Sequence, residues 1–166
     1  FVAAEMCRGL GAAHSWHDDE RHAPVVHRGV KPSNVLLSRA GEIKIADFGF
    51  AAVAEQALRT RGGIPLEATP YLSPEQAAGD QLDVRSDVFS AGAVLYELVT
   101  GEPLFRGTTV DQIWRAIIAQ PIPAATASNS HLPPEIDDVL YRALARDRRQ
   151  RYADGACYQR GSCRGN

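Results

Sequence analysis

No apolar run among the 166 residues approaches the ~20 that a membrane-spanning helix needs, so the sequence holds no membrane span. Cysteine is scarce. Cys7, Cys157 and Cys163 are odd in number, widely spaced and without a C-x-x-C pair. That excludes a disulfide framework or a zinc ribbon and reads as free thiols in a reducing cytoplasm. Neither sign of charge is in excess: 18 Lys and Arg against 20 Asp and Glu leave a net charge of −2. Nothing in that balance holds nucleic acid or an anionic membrane surface. The five histidines lack an H-E-x-x-H or similar ligand spacing. His14 and His17, at i and i+3, read as surface or capping residues ahead of a metal site. Methionine occurs once, as Met6, and the chain opens on Phe1 inside a helical pattern without a signal-type leader. A fragment or a trimmed product is the expectation from that start.

What is present is ordinary for a globular protein: 45% apolar and 23% charged residues, enough for one domain with a core. Val2, Met6, Leu10 and Ala13 recur at helical spacing and predict a helix over 1–16, followed by a polar loop to Pro24. Val35-Leu36-Leu37 and Ile43-Lys44-Ile45 flank a Gly-containing turn and predict a small β-hairpin. Residues 50–70, with Gly62-Gly63 and Pro65, read as a long loop. From Val88 to Val99 apolar residues, Leu98 among them, occupy nearly the whole helical circumference, the pattern of a helix buried on all sides, with Gly101 as its stop. Further helices are predicted over 109–119 and after Pro134, joined by a Pro-, Ala- and Ser-rich connection over 121–134. Residues 155–166 have no apolar period and read as a disordered tail.

The residues able to carry chemistry cluster in two runs, His27-Arg28-Gly29-Val30-Lys31-Pro32-Ser33-Asn34 and Asp47-Phe48-Gly49. Singly they are bland: an Asp in a turn, an Asn closing a loop, a solvated Lys. Their shared order and spacing decide otherwise. The runs resemble the catalytic loop and the DFG turn of eukaryotic-type Ser/Thr protein kinases, closest to the bacterial branch. Thr69-Pro70-Tyr71-Leu72-Ser73-Pro74-Glu75 resembles the close of that family's activation segment.

The resemblance spans residues 1–154 and implies a mainly α fold: the helical C-terminal lobe of the protein-kinase-like fold with a small antiparallel hairpin. It implies magnesium held by Asn34 and Asp47, ATP steadied by Lys31 and floored by Leu36, and a protein substrate or partner of unspecified identity. It also implies structural roles for His27 and Arg28, for a buried Asp87 that accepts backbone hydrogen bonds from the loop, and for a Glu75–Arg151 pair. Three departures stand beside it. Gly29 occupies the position of the Asp that accepts the substrate's proton, and glycine can accept nothing. The stretch from Thr69 to Pro74 is one residue shorter than the family spacing. The upper lobe, with its Gly-x-Gly-x-x-Gly turn and phosphate-holding Lys, is absent from the 166 residues. The expectation is a kinase-family fragment, catalytically defective as it stands, or alternatively a pseudokinase-like scaffold.

Overall fold

The structure, a computed structural model, describes residues 1–16, 24–48 and 66–160, with side chains placed as far as Tyr158. Of the loops expected to Pro24 and over 50–70, residues 17–23 and 50–65 lie outside the described residues, as do Gly49 and Cys163. The chain is mainly helical. Helix α1 spans Val2–Ser15 and buries Met6, Cys7, Leu10, Gly11 and His14, one stripe at i, i+4 and i+7 spacing. The loop run leads into a 3-10 turn at Pro32–Asn34 and the hairpin β1 (Val35–Leu37) and β2 (Ile43–Ile45). The strands are antiparallel, with Val35 opposite Ile45 and Leu37 opposite Ile43. Gly41 makes the turn at φ 84°, a left-handed conformation that costs glycine nothing.

Beyond residue 65 come a 3-10 turn at Thr69–Tyr71 and the short α2, Pro74–Ala78. Helix α2 begins with a capping box: Gln76 N donates to Ser73 Oγ while Ser73 N donates to Gln76 Oε1. Such reciprocal caps are worth about 1 kcal/mol and fix where the helix starts. Helix α3, Val84–Thr100, is the centre of the molecule, with every residue from Ser86 to Tyr96 buried. Burying residues of the size of Val88 and Phe89 contributes about 1.5–3 kcal/mol each. The last turn departs from the expectation: Leu98 is 53% exposed and Val99 only partly covered.

Helices α5 (Ala125–Ser128) and α6 (Glu135–Ala143) pack on α3, and α4 (Val110–Ala119) packs on α2 and the 3-10 turn at Thr69–Tyr71. The connection predicted over 121–134 therefore contains a helical turn. It is held by Asp137, whose carboxylate accepts from Ala125 N, Thr126 N and Thr126 Oγ1. Arg146 reaches the other end of α4, donating to the carbonyls of Ile117 and Gln120, which helix geometry leaves without partners.

The tail expectation is corrected over 155–160. Gly155–Arg160 forms helix α7, with Cys157 and Tyr158 buried. The physical reason lies in glycine contacts that no apolar periodicity reveals. A Cβ on Gly155 would stand 2.7 Å from Gly11 N and 2.8 Å from Cys7 O, so α7 and α1 touch backbone to backbone. Residues 161–166 lie outside the described residues.

Candidate functional site

Asp87, in the first turn of α3 and fully buried, organises the site. Its Oδ2 accepts from His27 N and its Oδ1 from Arg28 N, both at 2.7 Å. A third bond joins Oδ2 to His14 Nε2 at 2.9 Å. A carboxylate with three such partners is satisfied in a position where an unpaired one would cost several kcal/mol. Arg28 needs that grip. Its φ of 63° lies in the left-handed region, disfavoured by ~1–2 kcal/mol for a side chain with a Cβ. Asp87 holds the residue from its amide and Gln76 Nε2 donates to its carbonyl at 2.7 Å.

His27 carries the next link. Gly29 N donates to His27 Nδ1, which places the ring proton on Nε2, and Nε2 donates to the Ala46 carbonyl at 2.9 Å. The ring packs against Phe48 with centroids 4.4 Å apart. Asn34, buried at the end of the 3-10 turn, donates from Nδ2 to Gly29 O, while its own carbonyl accepts from Ala46 N. Its Oδ1 accepts no hydrogen bond among the described residues. Asp47 follows Ala46 with an exposed side chain and a φ of 64°, a second left-handed residue within the same site. The structure thus ties His27 and Arg28 to Asp87, Gly29 to His27 and Asn34, and His27 and Asn34 to Ala46, the residue before Asp47. Lys31 sits half-buried at the N-cap of the 3-10 turn, and Leu36 lies on the hairpin, 52% exposed.

At position 29 the backbone does not require glycine. Its φ lies outside the left-handed range, and the nearest atoms to a Cβ there would be His27 Nδ1 at 3.7 Å and Asn34 Nδ2 and His27 Cε1 at 3.9 Å, ordinary contact distances. A Cβ fits.

Glu75 and Arg151 form a buried bidentate pair some distance along the chain from this loop. Arg151 Nη1 donates to Glu75 Oε1 at 2.6 Å and Nη2 to Oε2 at 2.9 Å. Ser86 Oγ also donates to Oε1, and Arg151 is further bonded to the carbonyls of Ala145, Arg85 and Arg146. Burial pushes the Glu75 carboxyl up. The guanidinium's hydrogen bonds and charge, with the Ser86 hydroxyl, outweigh it and hold the group below the usual glutamate range.

Three participants were not assigned from the sequence. His14 is buried, not a surface residue: besides Asp87 it serves Gly155 N, which donates to its Nδ1 at 3.1 Å. Its place on the same stripe as Cys7 and Leu10 was the available signal. Gln76 is legible as the third residue of a capping box, but its bond to Arg28 crosses 48 positions. Tyr71 donates to Glu97 Oε2 at 2.5 Å, tying the 3-10 turn to the end of α3. Burial, then the Glu97 hydrogen bond and charge, push the Tyr71 hydroxyl up, so it remains a donor.

A family model described as protein kinase domain matches residues 1–160. The serine/threonine-protein kinase PknL of Mycobacterium tuberculosis is 40% identical over 153 residues, covering 92% of this chain and 37% of that protein. The serine/threonine-protein kinase PknB of Mycobacterium leprae is 36% identical over 157 residues, 93% of this chain and 24% of that protein. PknB of Mycobacterium tuberculosis is 38% identical over 158 residues. The chain spans 24–37% of the length of these curated relatives.

Proposed function

The chain belongs to the protein kinase domain family, and on that premise we propose that it is the large-lobe part of a Ser/Thr protein kinase domain that keeps its metal ligands and lacks its proton acceptor. The observation that carries the reading is Gly29, lying in a loop that Asp87, Gln76 and His27 otherwise hold in a single arrangement. The donor set fits a hard cation. Asn34 has committed its amide nitrogen to Gly29 O, so its oxygen is the end left to face a metal, and Asp47 offers an exposed carboxylate. Two oxygen ligands suit magnesium, which takes its remaining positions from phosphates and water. Bound there with ATP, the ion would neutralise charge on the phosphates being transferred.

The chain's own residues would do the rest in part. Lys31 would steady the terminal phosphate and Leu36 would floor the base. No group at position 29 takes the proton from the substrate hydroxyl, a contribution worth ~10²–10⁴-fold in rate. Groups that act as a unit fail together, so phosphotransfer by this chain alone is expected to be negligible. The buried Cys7 thiol fits the reducing cytoplasm.

The test joins the chain to an intact small lobe of a related bacterial kinase, which supplies the phosphate clamp. The fusion is expected to be nearly silent in radiolabel transfer to a generic protein substrate, and Gly29→Asp to raise transfer ~10²-fold or more. Equal, robust transfer by both proteins would overturn the reading of Gly29. A second reading, a non-catalytic scaffold, is favoured by one feature: an open groove lined by Leu66, Pro70, Pro103, Phe105, Arg106 and Ile113. A fusion silent with and without Gly29→Asp, yet still retaining Mg-ATP, would favour that reading.

A further inference from the structure

The hydrogen bonds at Asp87 do not stop at the loop. They begin at α7. Gly155 N donates to His14 Nδ1, which fixes the proton on Nε2, and Nε2 donates to Asp87 Oδ2. The same oxygen accepts from His27 N and its neighbour from Arg28 N. His27 Nε2 in turn donates to the Ala46 carbonyl, one residue before Asp47. Two imidazoles, each held as the Nε2–H tautomer by a backbone N–H on Nδ1, thus join the last helix to the residue beside the candidate metal ligand. Every link except the last is buried or nearly so, where a bond lost is not replaced by water.

The first link has no slack. Gly155 lies against Gly11 N and Cys7 O with no room for a Cβ, so α7 cannot slide on α1 while the His14 bond is kept. Asp154 closes the start of the helix from below: its Oδ1 accepts from Cys157 N and its carbonyl from Tyr158 N. Seating of α7 and placement of His14 are therefore one event. Arg28, in a conformation it would not hold unaided, stands at the receiving end.

We infer that α7 is a latch for the catalytic-type loop: docking of Gly155 on α1 sets His14, His14 sets Asp87, and Asp87 holds His27 and Arg28. Release of α7 then loosens the loop without any change in the loop's own sequence. An effector that acts on α7 would be read out next to Asp47. His14 is a positioning residue in this device, acting through Asp87.

Amide hydrogen exchange by NMR on the whole chain tests it. Gly155→Ala puts a Cβ against backbone and must lift the start of α7. The latch requires the His27 and Arg28 amides to exchange roughly tenfold faster or more than in Asp137→Ala, a remote lesion matched for loss of Tm. His14→Gln, which keeps a donor and an acceptor, is expected to stay near the parent. His14→Leu is expected to speed exchange at Gly155 and Ala156 as well as at the loop, and Gly155→Ala in that background to add nothing further at His27 and Arg28. Should Gly155→Ala not fold, Cys157→Ser on the buried face of α7 carries the same comparison. Loop amides no faster in the α7 variants than in the matched control would overturn the inference.

Discussion

Arg151 is the most fully committed side chain among the described residues, with a bidentate carboxylate, three carbonyls and the Phe89 ring 4.9 Å from its guanidinium. Arg151→Ala leaves Glu75 buried with an uncompensated charge, and a loss of ~3–5 kcal/mol in a denaturant melt is expected. Arg8→Ala, which removes an exposed pair with Glu5, is expected to change stability by less than ~1 kcal/mol. Equal losses would mean that the buried pair does not bear on stability. The same pair sets an acid limit. Because folding lowers the Glu75 carboxyl, its stabilisation is fully present above the unfolded value of ~4.3 and is lost as pH falls through the lower folded value. Denaturant midpoints measured downward from pH 5 should show that loss in the parent and not in Glu75→Gln. Tyr158 is a different case, a buried hydroxyl with no hydrogen-bond partner among the described residues. Tyr158→Phe removes the unsatisfied group and keeps the ring stacked on Tyr152, so stability is expected to hold or rise by ~1 kcal/mol. A drop in Tm would show that the hydroxyl is satisfied after all.

Among the elements, α3 stands apart because it is enclosed from Ser86 to Tyr96. Its amides are expected to be the slowest to exchange in the chain, opening only with global unfolding, while the hairpin β1–β2, with Leu36 and Leu37 exposed, exchanges first. Exchange in α3 as fast as in the hairpin would contradict the architecture. The amphipathic stripes of α1, α4 and α6 were legible because one face of each is buried, α1 and α6 against α3 and α4 against α2 and the 3-10 turn at Thr69–Tyr71, which is what imposes a 3.6-residue period. Helix α7 was not. Six residues are too few to show a period, and its docking rests on two glycines where contact is made by the lack of a side chain.

For the molecule as a whole, the family and the mainly helical architecture followed from motif order alone. Its behaviour toward nucleotide follows from what surrounds the site. On the function proposed above, Lys31, Asn34, Asp47 and Leu36 would all lie on one side of a nucleotide pocket, and the 166 residues contain no Gly-x-Gly-x-x-Gly turn to cover it. Mg-ATP is therefore expected to shift the Tm of the chain little or not at all. A ligand bound to the folded state at ~100 times its Kd would add ~2.7 kcal/mol, an effect a thermal shift readily detects. Such a shift, abolished by Asp47→Ala, would show that the large lobe alone retains nucleotide.

The sequence by itself determined the chemistry on offer: which oxygen donors exist, that position 29 has no base, and which residues repeat at helical spacing. Those are properties of residue type and local order, and they need no coordinates. Only the tertiary structure decided that Gly29 is a vacancy a Cβ could fill, since that depends on φ and on where His27 and Asn34 stand. Likewise only the fold turned His14 from one more polar residue on α1 into the bridge between Gly155 and Asp87, partners 141 and 73 positions away. Long-range hydrogen bonds leave no period in a sequence, because the geometry that creates them arises when distant segments pack.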